Sequence, residues 1–401
     1  MPLDLRSRIG ELEPELIALR RDFHMHPELG LEEHRTAGII ETYLQDLGLE
    51  TSRMCGTGVI GMLRGGQPGK TLMMRADIDA LPILEETGLD HASTVPGKMH
   101  ACGHDGHTAM MLVAAKILSE RRETLKGDIK FVFQPNEELG CAADMVKAGV
   151  LQNPDVDAVI GTHLMTDLPT GTLSAQEGAV MAEANVFKIS LRGRGGHTAI
   201  PDDAIDPIAA AAAVIQGAQS LLAREISPHR ACAIVFGSIH SGSAANIIPE
   251  EAELTGTVRC LFESRADKGE TVLERFERIV RNISAAYRVE VTLEWTAFDP
   301  PTVNDPTLTA AMREAADLVT RGTDRQLVPY VTMIGEDFGE FAMHVPGTFY
   351  FIGVGNAEKG TDWPHHHPRF DIDEDALAIG VEMHVTGALT YFDGQLRNTV
   401  C

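Results

Sequence analysis

The sequence is short of basic residues, of long apolar runs and of closely spaced cysteines, and each shortage excludes a class of function. The 34 Lys and Arg residues face 58 Asp and Glu residues, and the formal net charge of −24 would repel the phosphates of a nucleic acid. No apolar run reaches the roughly 18 residues of a membrane span. The N-terminus enters a charged amphipathic helix without the apolar segment of a secretory signal. We therefore expect no nucleic-acid partner and no membrane partner.

The cysteines form no Cys-x-x-Cys pair and no disulfide framework. This spacing indicates a reducing, cytoplasmic compartment, in which most of them are small apolar residues or surface thiols. The six positions are Cys55, Cys102, Cys141, Cys232, Cys260 and Cys401.

The length and the element pattern predict an α/β protein with more than one domain. A chain of 401 residues, with 44% hydrophobic and 23% charged residues, is typical of a globular protein too large for a single core. The pattern predicts helices at 5–21, 33–47 and 105–121 that alternate with strands at 71–75, 129–133 and 156–160. Such alternation favours a largely parallel sheet, whose ligands gather at the carboxyl ends of its strands. The Glu137–Glu138 pair and His163 follow two of these ends.

The order of elements changes in the middle of the chain. Strands and helices follow one another as β-α-β-β-α-β, the order of a ferredoxin-like unit. The predicted elements are 187–191, 206–225, 231–239, 251–260, 265–287 and 288–294. A strand at 348–352 and a helix at 373–392 then restore the α/β pattern. We therefore predict a discontinuous domain of residues 1–182 and 298–401, a domain inserted at 183–297, and hinges near 182–184 and 298–301.

The segment 99–108 (MHACGHDGHT) carries the strongest chemical signal. A thiolate at Cys102 and an imidazole at His104 are both good ligands for borderline metals such as zinc. Alternatively, the segment is a polar helix start, with Asp105 as the cap. A third interpretation uses Cys102 as the nucleophile of a cysteine hydrolase.

Further candidate ligands are Glu138, His163 and the histidines at 365–367. Each has a simpler interpretation: an exposed acidic pair, a hydrogen-bonded core histidine, or a polar loop. Their recurrence at separated strand ends of one α/β domain favours a shared metal site. The neighbours Glu137 and Glu138 can serve one site only if the backbone turns between them, and the Pro135-Asn136 step supplies such a turn.

Ordered motifs along almost the whole chain resemble the metal-dependent aminoacylase/carboxypeptidase family, in the branch of hippurate hydrolases, N-acyl-amino-acid amidohydrolases and auxin-conjugate hydrolases. The matching segments are 19–29 (LRRDFHMHPEL), 75–82 (RADIDALP), 100–107 (HACGHDGH), 134–138 (QPNEE), 161–163 (GTH), 195–201 (GGHTAIP), 246–249 (NIIP), 256–259 (GTVR), 336–338 (EDF) and 366–370 (HHPRF).

The resemblance implies a two-domain α/β fold, in which a dinuclear-metal catalytic domain carries an inserted ferredoxin-like lid and dimerisation domain. Two divalent ions (Zn, Mn, Ni or Co) would be bound by side chains at five positions. Cys102 would bridge the ions, with two ligands completing each site. The expected ligands are Cys102, His104 and His163 for one ion, and Cys102, Glu138 and His366 for the other.

The resemblance also assigns catalytic and substrate-binding residues. Glu137 would be the general base, and Asp77 would orient a ligand or the metal pair. His197 would reach the developing oxyanion, commonly in the partner subunit's site, and Asn246 and Arg259 would bind substrate. We therefore expect a homodimer or larger homo-oligomer that hydrolyses N-acyl amino acids such as hippurate or N-acetyl compounds.

Two alternatives remain: a dipeptidase or carboxypeptidase-like hydrolase of small peptides, and a non-catalytic binding homologue. Two departures from the family pattern concern the pocket, namely Asn136 in the Gln-Pro-x-Glu-Glu motif and Asp202–Asp203 after the Gly-Gly-His segment.

Overall fold

A computed structural model describes residues 2–262 and 269–398, which form two compact units. The first unit contains the described residues up to Gly178, Val303–Tyr330, and the described residues from Asp337 onward. The second contains the described part of Ala179–Thr302, together with Val331–Glu336. The domain boundaries at 182/183 and 297/298 and the two hinges stay predictions. Among the described helices, none has both the length and the apolarity needed to cross a membrane.

Helices and strands alternate along the described chain. The helices are α1 (Pro2–Met25), α2 (His34–Asp46), α3 (His104–Ser119), α4 (Ala142–Lys147), α5 (Pro207–Arg224), α6 (Val272–Ala286), α7 (Pro306–Thr320), α8 (Gly339–Ala342) and α9 (Asp375–Asn398). The strands are β1 (Glu50–Met54), β2 (Gly58–Leu63), β3 (Gln67–Asp77), β4 (Lys126–Gln134), β5 (Ala158–Pro169), β6 (Thr172–Ser174), β7 (Gly178–Met181), β8 (Glu183–Arg192), β9 (Gly196–His197), β10 (Cys232–Ser241), β11 (Ile247–Ile248), β12 (Glu251–Cys260), β13 (Glu290–Asp299), β14 (Thr302–Asn304), β15 (Gln326–Leu327) and β16 (Gly347–Gly355).

The first unit is built on an eight-stranded mixed sheet in the order β1-β2-β4-β3-β5-β16-β6-β15. Its centre, β4-β3-β5-β16, is parallel, while β1 and β2 extend one side as antiparallel strands. Helix α3 is apolar on nearly all sides and almost entirely buried, and it packs against α1 and α9. A helix without a polar face is stable only inside a core. The predicted α/β class is therefore confirmed.

Parallel strands bring the functional segments to one edge of this sheet. Strands β3 and β4 end side by side, because Asp77 pairs with Gln134 in the register. On the other side of β3, the pairing with β5 ends at Arg75 and Gly161. The expected strand end before His163 was wrong, because β5 continues along β16 to Pro169 after it separates from β3.

Apart from the short strands β9 and β11, the second unit follows the order β8-α5-β10-β12-α6-β13 and has an antiparallel sheet in the order β10-β12-β8-β13. The ferredoxin-like lid stays a prediction. Its core contains Phe187 from the sheet and Phe276 from α6. Helix α6 begins at Val272 rather than at residue 265, because a capping box between Thr271 and Glu274 defines its N-terminus. Residues 265–268 of the predicted helix lie outside the described residues.

Candidate metal centre

The cysteine–histidine motif forms the N-terminus of α3. Gly103 is the N-cap residue, with a φ of 93° that glycine adopts without strain, and the helix begins at His104. The prediction of Asp105 as the cap was therefore wrong. Asp105 lies in the first turn, where its carboxylate accepts hydrogen bonds from Arg20 Nε at 2.9 Å and His24 Nδ1 at 2.7 Å.

The donor atoms of Cys102, His104 and His163 form one buried group, all within 4.8 Å of one another. Cys102 Sγ lies 3.5 Å from His163 Nε2. His163 Nδ1 donates to the Leu164 carbonyl at 2.9 Å, which leaves the Nε2 lone pair directed at the sulfur. His104 Nδ1 donates to the main-chain oxygen of Asp79 at 2.9 Å, and His104 Nε2 is buried without a hydrogen-bond partner among the described residues.

A second group shares the same sulfur. The donor atoms of Cys102, Glu138 and His366 also lie within 4.8 Å of one another, and His366 Nε2 is 3.3 Å from Glu138 Oε1. The backbone N–H of His366 donates to the Ala101 carbonyl at 2.8 Å, which fixes this loop beside the motif. The His366 side chain is 51% exposed, so this group faces solvent, unlike the first.

Three neighbouring histidines of the two motifs are engaged elsewhere. His107 Nδ1 binds Asp77 Oδ1 at 2.6 Å, and His107 Nε2 accepts from the Leu164 N–H at 3.0 Å, so both ring nitrogens are used. His365 Nε2 donates to the Leu164 carbonyl at 2.8 Å, and His367 stacks on Trp363 with ring centroids 4.5 Å apart. Within 365–367, His366 is thus the member whose ring faces the other donors.

The glutamate pair stands on the turn that its neighbours predict. Asn136 adopts a left-handed conformation with φ 53° and ψ 44°, which asparagine tolerates better than most residues. A short 3-10 turn at Glu137–Leu139 follows and directs both carboxylates toward α3. Glu137 Oε2 lies 3.9 Å from His104 Nε2. Asn136 itself packs against Gly30, where any Cβ would collide with its side chain, so this departure from the family pattern has a local structural role.

A second aspartate, Asp79, also contacts the predicted ligands. Asp79 Oδ1 lies 3.2 Å from His104 Nδ1, and Asp79 Oδ2 accepts from the Glu138 N–H at 3.2 Å. Asp77 pairs with Arg75 Nη1 at 2.8 Å and with His107, and its carboxylate lies 3.9 Å from His104 Nε2, so its orienting role stays a prediction. Sequence reasoning missed Asp79, although positions 77 and 79 of an extended segment lie on the same side.

Asp337 organises the strand end behind the glutamate pair. Its carboxylate accepts from Arg75 Nη2 at 3.0 Å, from Gln134 Nε2 at 2.8 Å and from the backbone N–H groups of Cys141 and Ala142 at 2.8 and 2.9 Å. The sequence placed Glu336 and Asp337 in a family motif without a role. The structure shows that Asp337 fixes both ends of the 134–142 segment.

The electrostatics of the cluster favour a bound cation. Burial favours the neutral imidazole of His104, yet the carboxylates of Asp77 and Asp79 raise its pKa to about 10. Burial, together with the charges of Glu138 and Glu137, raises the pKa of the Cys102 thiol. Negative charge around buried donors contributes to both shifts, and a divalent cation would balance that charge and hold the sulfur as thiolate.

The donor set itself fits divalent metals. Sulfur, imidazole and carboxylate together suit borderline ions such as zinc. His104 Nε2 and Glu138 Oε1 are buried without a hydrogen-bond partner among the described residues, as expected of atoms kept for coordination. Such a cluster at the carboxyl edge of an α/β sheet is typical of a metalloenzyme.

The predicted substrate-binding residues belong to the second unit. His197 on β9 pairs with Ile247 on β11, and the Asn246 carbonyl accepts from the Thr198 N–H at 3.3 Å, so the segments that carry His197 and Asn246 lie side by side. His197 Nδ1 accepts from the Ala199 N–H at 3.0 Å, which leaves a solvent-exposed N–H at Nε2. Arg259 lies apart from them on β12, where its Nη1 donates to the Met333 carbonyl at 2.9 Å. Asp202 and Asp203 lie exposed on a 3-10 turn.

Comparisons with known proteins agree with this chemistry. The sequence model of Peptidase family M20/M25/M40 matches residues 73–389. N-acetylcysteine deacetylase of Bacillus subtilis is 40% identical over 368 residues, covering 91% of this chain and 93% of that protein. Thermostable carboxypeptidase 1 of Saccharolobus solfataricus is 36% identical over 393 residues, covering 96% and 98%. The crystal structure of the YXEP protein of Bacillus subtilis, a dinuclear metal-binding peptidase of the M20 family, matches with a TM-score of 0.81 at 35% identity, covering 96% of this chain and 99% of that one.

The chain therefore belongs to Peptidase family M20/M25/M40. It is a metal-dependent hydrolase that acts on amide bonds, and the predicted family and enzyme class are confirmed.

Proposed function

We propose that the protein hydrolyses the amide bond of N-acyl amino acids, releasing a carboxylic acid and a free amino acid. The observation that carries the proposal is the Cys102 sulfur, which belongs to both donor groups. One side chain common to two groups is what a bridging ligand requires. His104 and His163 would complete one site, and Glu138 and His366 the other.

Two divalent ions (Zn, Mn, Ni or Co), when bound, would lower the pKa of a water molecule and polarise the amide carbonyl. Glu137 is suited to move the proton, because its carboxylate reaches within 3.9 Å of His104 Nε2 while the adjacent Glu138 belongs to a donor group. We assign Glu137 to accept a proton from the attacking water and to return it to the leaving amine nitrogen. Asp79, rather than Asp77, would keep His104 in the correct tautomer, because Asp79 contacts its Nδ1.

The second unit would supply the substrate contacts as a ferredoxin-like lid and dimerisation domain. The exposed Nε2–H of His197 is a suitable donor for a developing oxyanion. Asn246 lies on the neighbouring segment, and Arg259 offers a guanidinium for the carboxylate of the amino-acid half. A homodimer would allow His197 of one subunit to act in its partner's site.

The substrate class can be tested with a panel of acylated amino acids. We expect turnover of N-acetyl, N-benzoyl or longer N-acyl amino acids, with the ranking defining the acyl pocket. Small peptides belong in the same panel, because one relative is named a carboxypeptidase. Preference for dipeptides over every acyl amino acid would move the assignment to a peptidase. Two bound metals without turnover on any compound would indicate a binding protein.

Glu137→Gln tests the mechanism. The amide keeps the size of the side chain but cannot accept the proton, so we expect kcat to fall by about 10²- to 10⁴-fold. Metal content, measured by elemental analysis, should stay at the parental value. Glu138→Gln is the matched neighbour and should lose metal. Near-parental turnover of Glu137→Gln would refute its assignment as the base. In a separate experiment, activity that survives complete removal of metal by a chelator would favour the cysteine hydrolase.

A further inference from the structure

Glu33 is a buried acidic residue close to the glutamate pair, and it belongs to neither of the two donor groups. It stands at the N-terminus of α2, but its side chain does not cap that helix. Glu28 takes over the capping instead, accepting from the backbone N–H groups of Arg35 at 3.0 Å and Thr36 at 2.8 Å. The Glu33 side chain is therefore free to point into the protein, where its exposure is 0%.

The Glu33 carboxylate connects two turns. Oε2 accepts from the Thr57 hydroxyl at 2.5 Å, in the turn between β1 and β2. Oε1 accepts from the backbone N–H of Asn136 at 2.9 Å. Asn136 is 9% exposed, so water has little access to replace this acceptor.

Asn136 is the left-handed residue that directly precedes Glu137, and its orientation determines where the next two side chains point. The turn is held at both ends by carboxylates. Glu33 accepts the N–H of residue 136, and Asp79 accepts the N–H of Glu138 at 3.2 Å. The Glu137 backbone lies between these two fixed points, so release of one end would let its carboxylate shift.

We propose that Glu33 is a positioning residue that holds the 136–138 turn, and with it Glu137, in the orientation needed for proton transfer. The inference rests on the proposed role of Glu137 as the base. Proton transfer is sensitive to such placement, because a displacement of about 1 Å can cost roughly 100-fold in rate. Metal binding should be spared, because Asp79 continues to hold Glu138.

The test is a series at one position, in which the reach of the acceptor varies. Glu33→Gln keeps an acceptor oxygen at the same distance, and the Thr57 hydroxyl can rotate to accept from the new amide. Glu33→Asp withdraws the carboxylate by one carbon, and Glu33→Met fills the space without any acceptor. We expect kcat to fall as the acceptor is withdrawn. It should stay within about threefold of the parent for Gln, be lower for Asp, and be about 10- to 100-fold lower for Met. KM should change less than about threefold, and metal content should not change.

Glu28→Ala is the matched control from the same loop. It removes a cap and should lower the melting temperature while leaving kcat of the folded, metal-loaded protein unchanged. Hydrogen exchange supplies a second readout, because the peptide covering 134–140 should exchange faster in Glu33→Met but not in Glu33→Gln. If Glu33→Met does not fold, Glu33→Asp carries both measurements.

The outcomes separate the two proposals. Unchanged exchange at 134–140 in the Met and Asp variants overturns the role of Glu33, whatever the activity. Equal losses of kcat in the Gln and Met variants also overturn it, because charge rather than reach would then matter. Full turnover of Glu137→Gln overturns the base assignment instead, while the exchange result still decides whether Glu33 holds the turn.

Discussion

Replacement of Asp79 by asparagine should weaken metal binding without abolishing it. The Asp79 carboxylate makes two contacts, to His104 Nδ1 and to the Glu138 N–H, both at 3.2 Å. The amide oxygen can continue to accept from the Glu138 N–H, which keeps the turn in place, but the amide NH2 group then faces His104 Nδ1. The loss of one charge-assisted hydrogen bond costs about 1.5–3 kcal/mol. The main-chain oxygen of Asp79 still accepts from His104 Nδ1 at 2.9 Å, so the tautomer should survive.

This cost corresponds to a metal dissociation constant raised by about 10- to 100-fold, the usual effect of losing a partner behind a ligand. Competition with a chromogenic chelator would measure it, and kcat at saturating metal should stay within a few-fold of the parental value. Asp128→Asn is a suitable control, because Asp128 also accepts from a backbone N–H, that of Gly65 at 3.1 Å, and from an arginine, Arg64, at 2.6 Å. Equal affinities in the parent and Asp79→Asn would refute the reasoning.

Two predictions concern other parts of the fold. Lys130→Met should cost about 3–5 kcal/mol of unfolding free energy, because the buried Nζ donates to three backbone carbonyls of the 150–154 segment at 2.8–3.0 Å. Burial lowers the pKa of Lys130 to about 8, so between pH 8 and 10.5 the unfolded chain binds more protons than the folded chain. The difference in unfolding free energy between the parent and Lys130→Met, measured in urea, should therefore grow with pH. A difference that shrinks would contradict this. Cys232 and Cys260 face each other across β10 and β12 with their sulfurs 3.4 Å apart, so glutathione disulfide should oxidise them to a disulfide, releasing two glutathione thiols. Peptide mapping would detect the cross-link, which should raise stability by about 3–4 kcal/mol, and its absence would contradict the geometry.

The element types were predictable where the hydrophobic pattern was long and regular. Helix α3 and strands β3, β4 and β16 all carry continuous apolar runs, and their positions follow from the sequence. Strand β2 was not predicted, because its six residues are all buried and show no alternation that separates a strand from a loop. The start of α6 was readable in principle from Thr271 and Glu274, whose spacing is that of a capping box.

The candidate site was predictable to the level of residue type and strand end. The position of Glu138 near the carboxyl edge follows from the parallel order of β4 and β3, whereas His163 lies within β5 rather than after its end. The choice of Asp79 over Asp77 was not predictable, because both share one side of the segment and the difference depends on side-chain rotamers. Glu33 was not predictable either, since its partner Asn136 lies 103 positions away and nothing in the local pattern links them.

Five of the acidic residues around the donor cluster divide into two kinds. This division explains why the 136–142 segment is both fixed in position and rich in negative charge. Glu137 and Glu138 present their carboxylates to the donors, whereas Glu33, Asp79 and Asp337 each accept at least one backbone N–H between residues 136 and 142 as well as a side-chain donor. A carboxylate that accepts from the backbone orients it and adds negative potential at the same time, so positioning and cation affinity arise from the same groups. Substitutions in the first kind should therefore act on chemistry or on metal content. Substitutions of the second kind should act on the geometry of the turn. Their effect on metal affinity should fall with distance from the ligands, so it should be larger for Asp79, which contacts His104, than for Glu33, which does not.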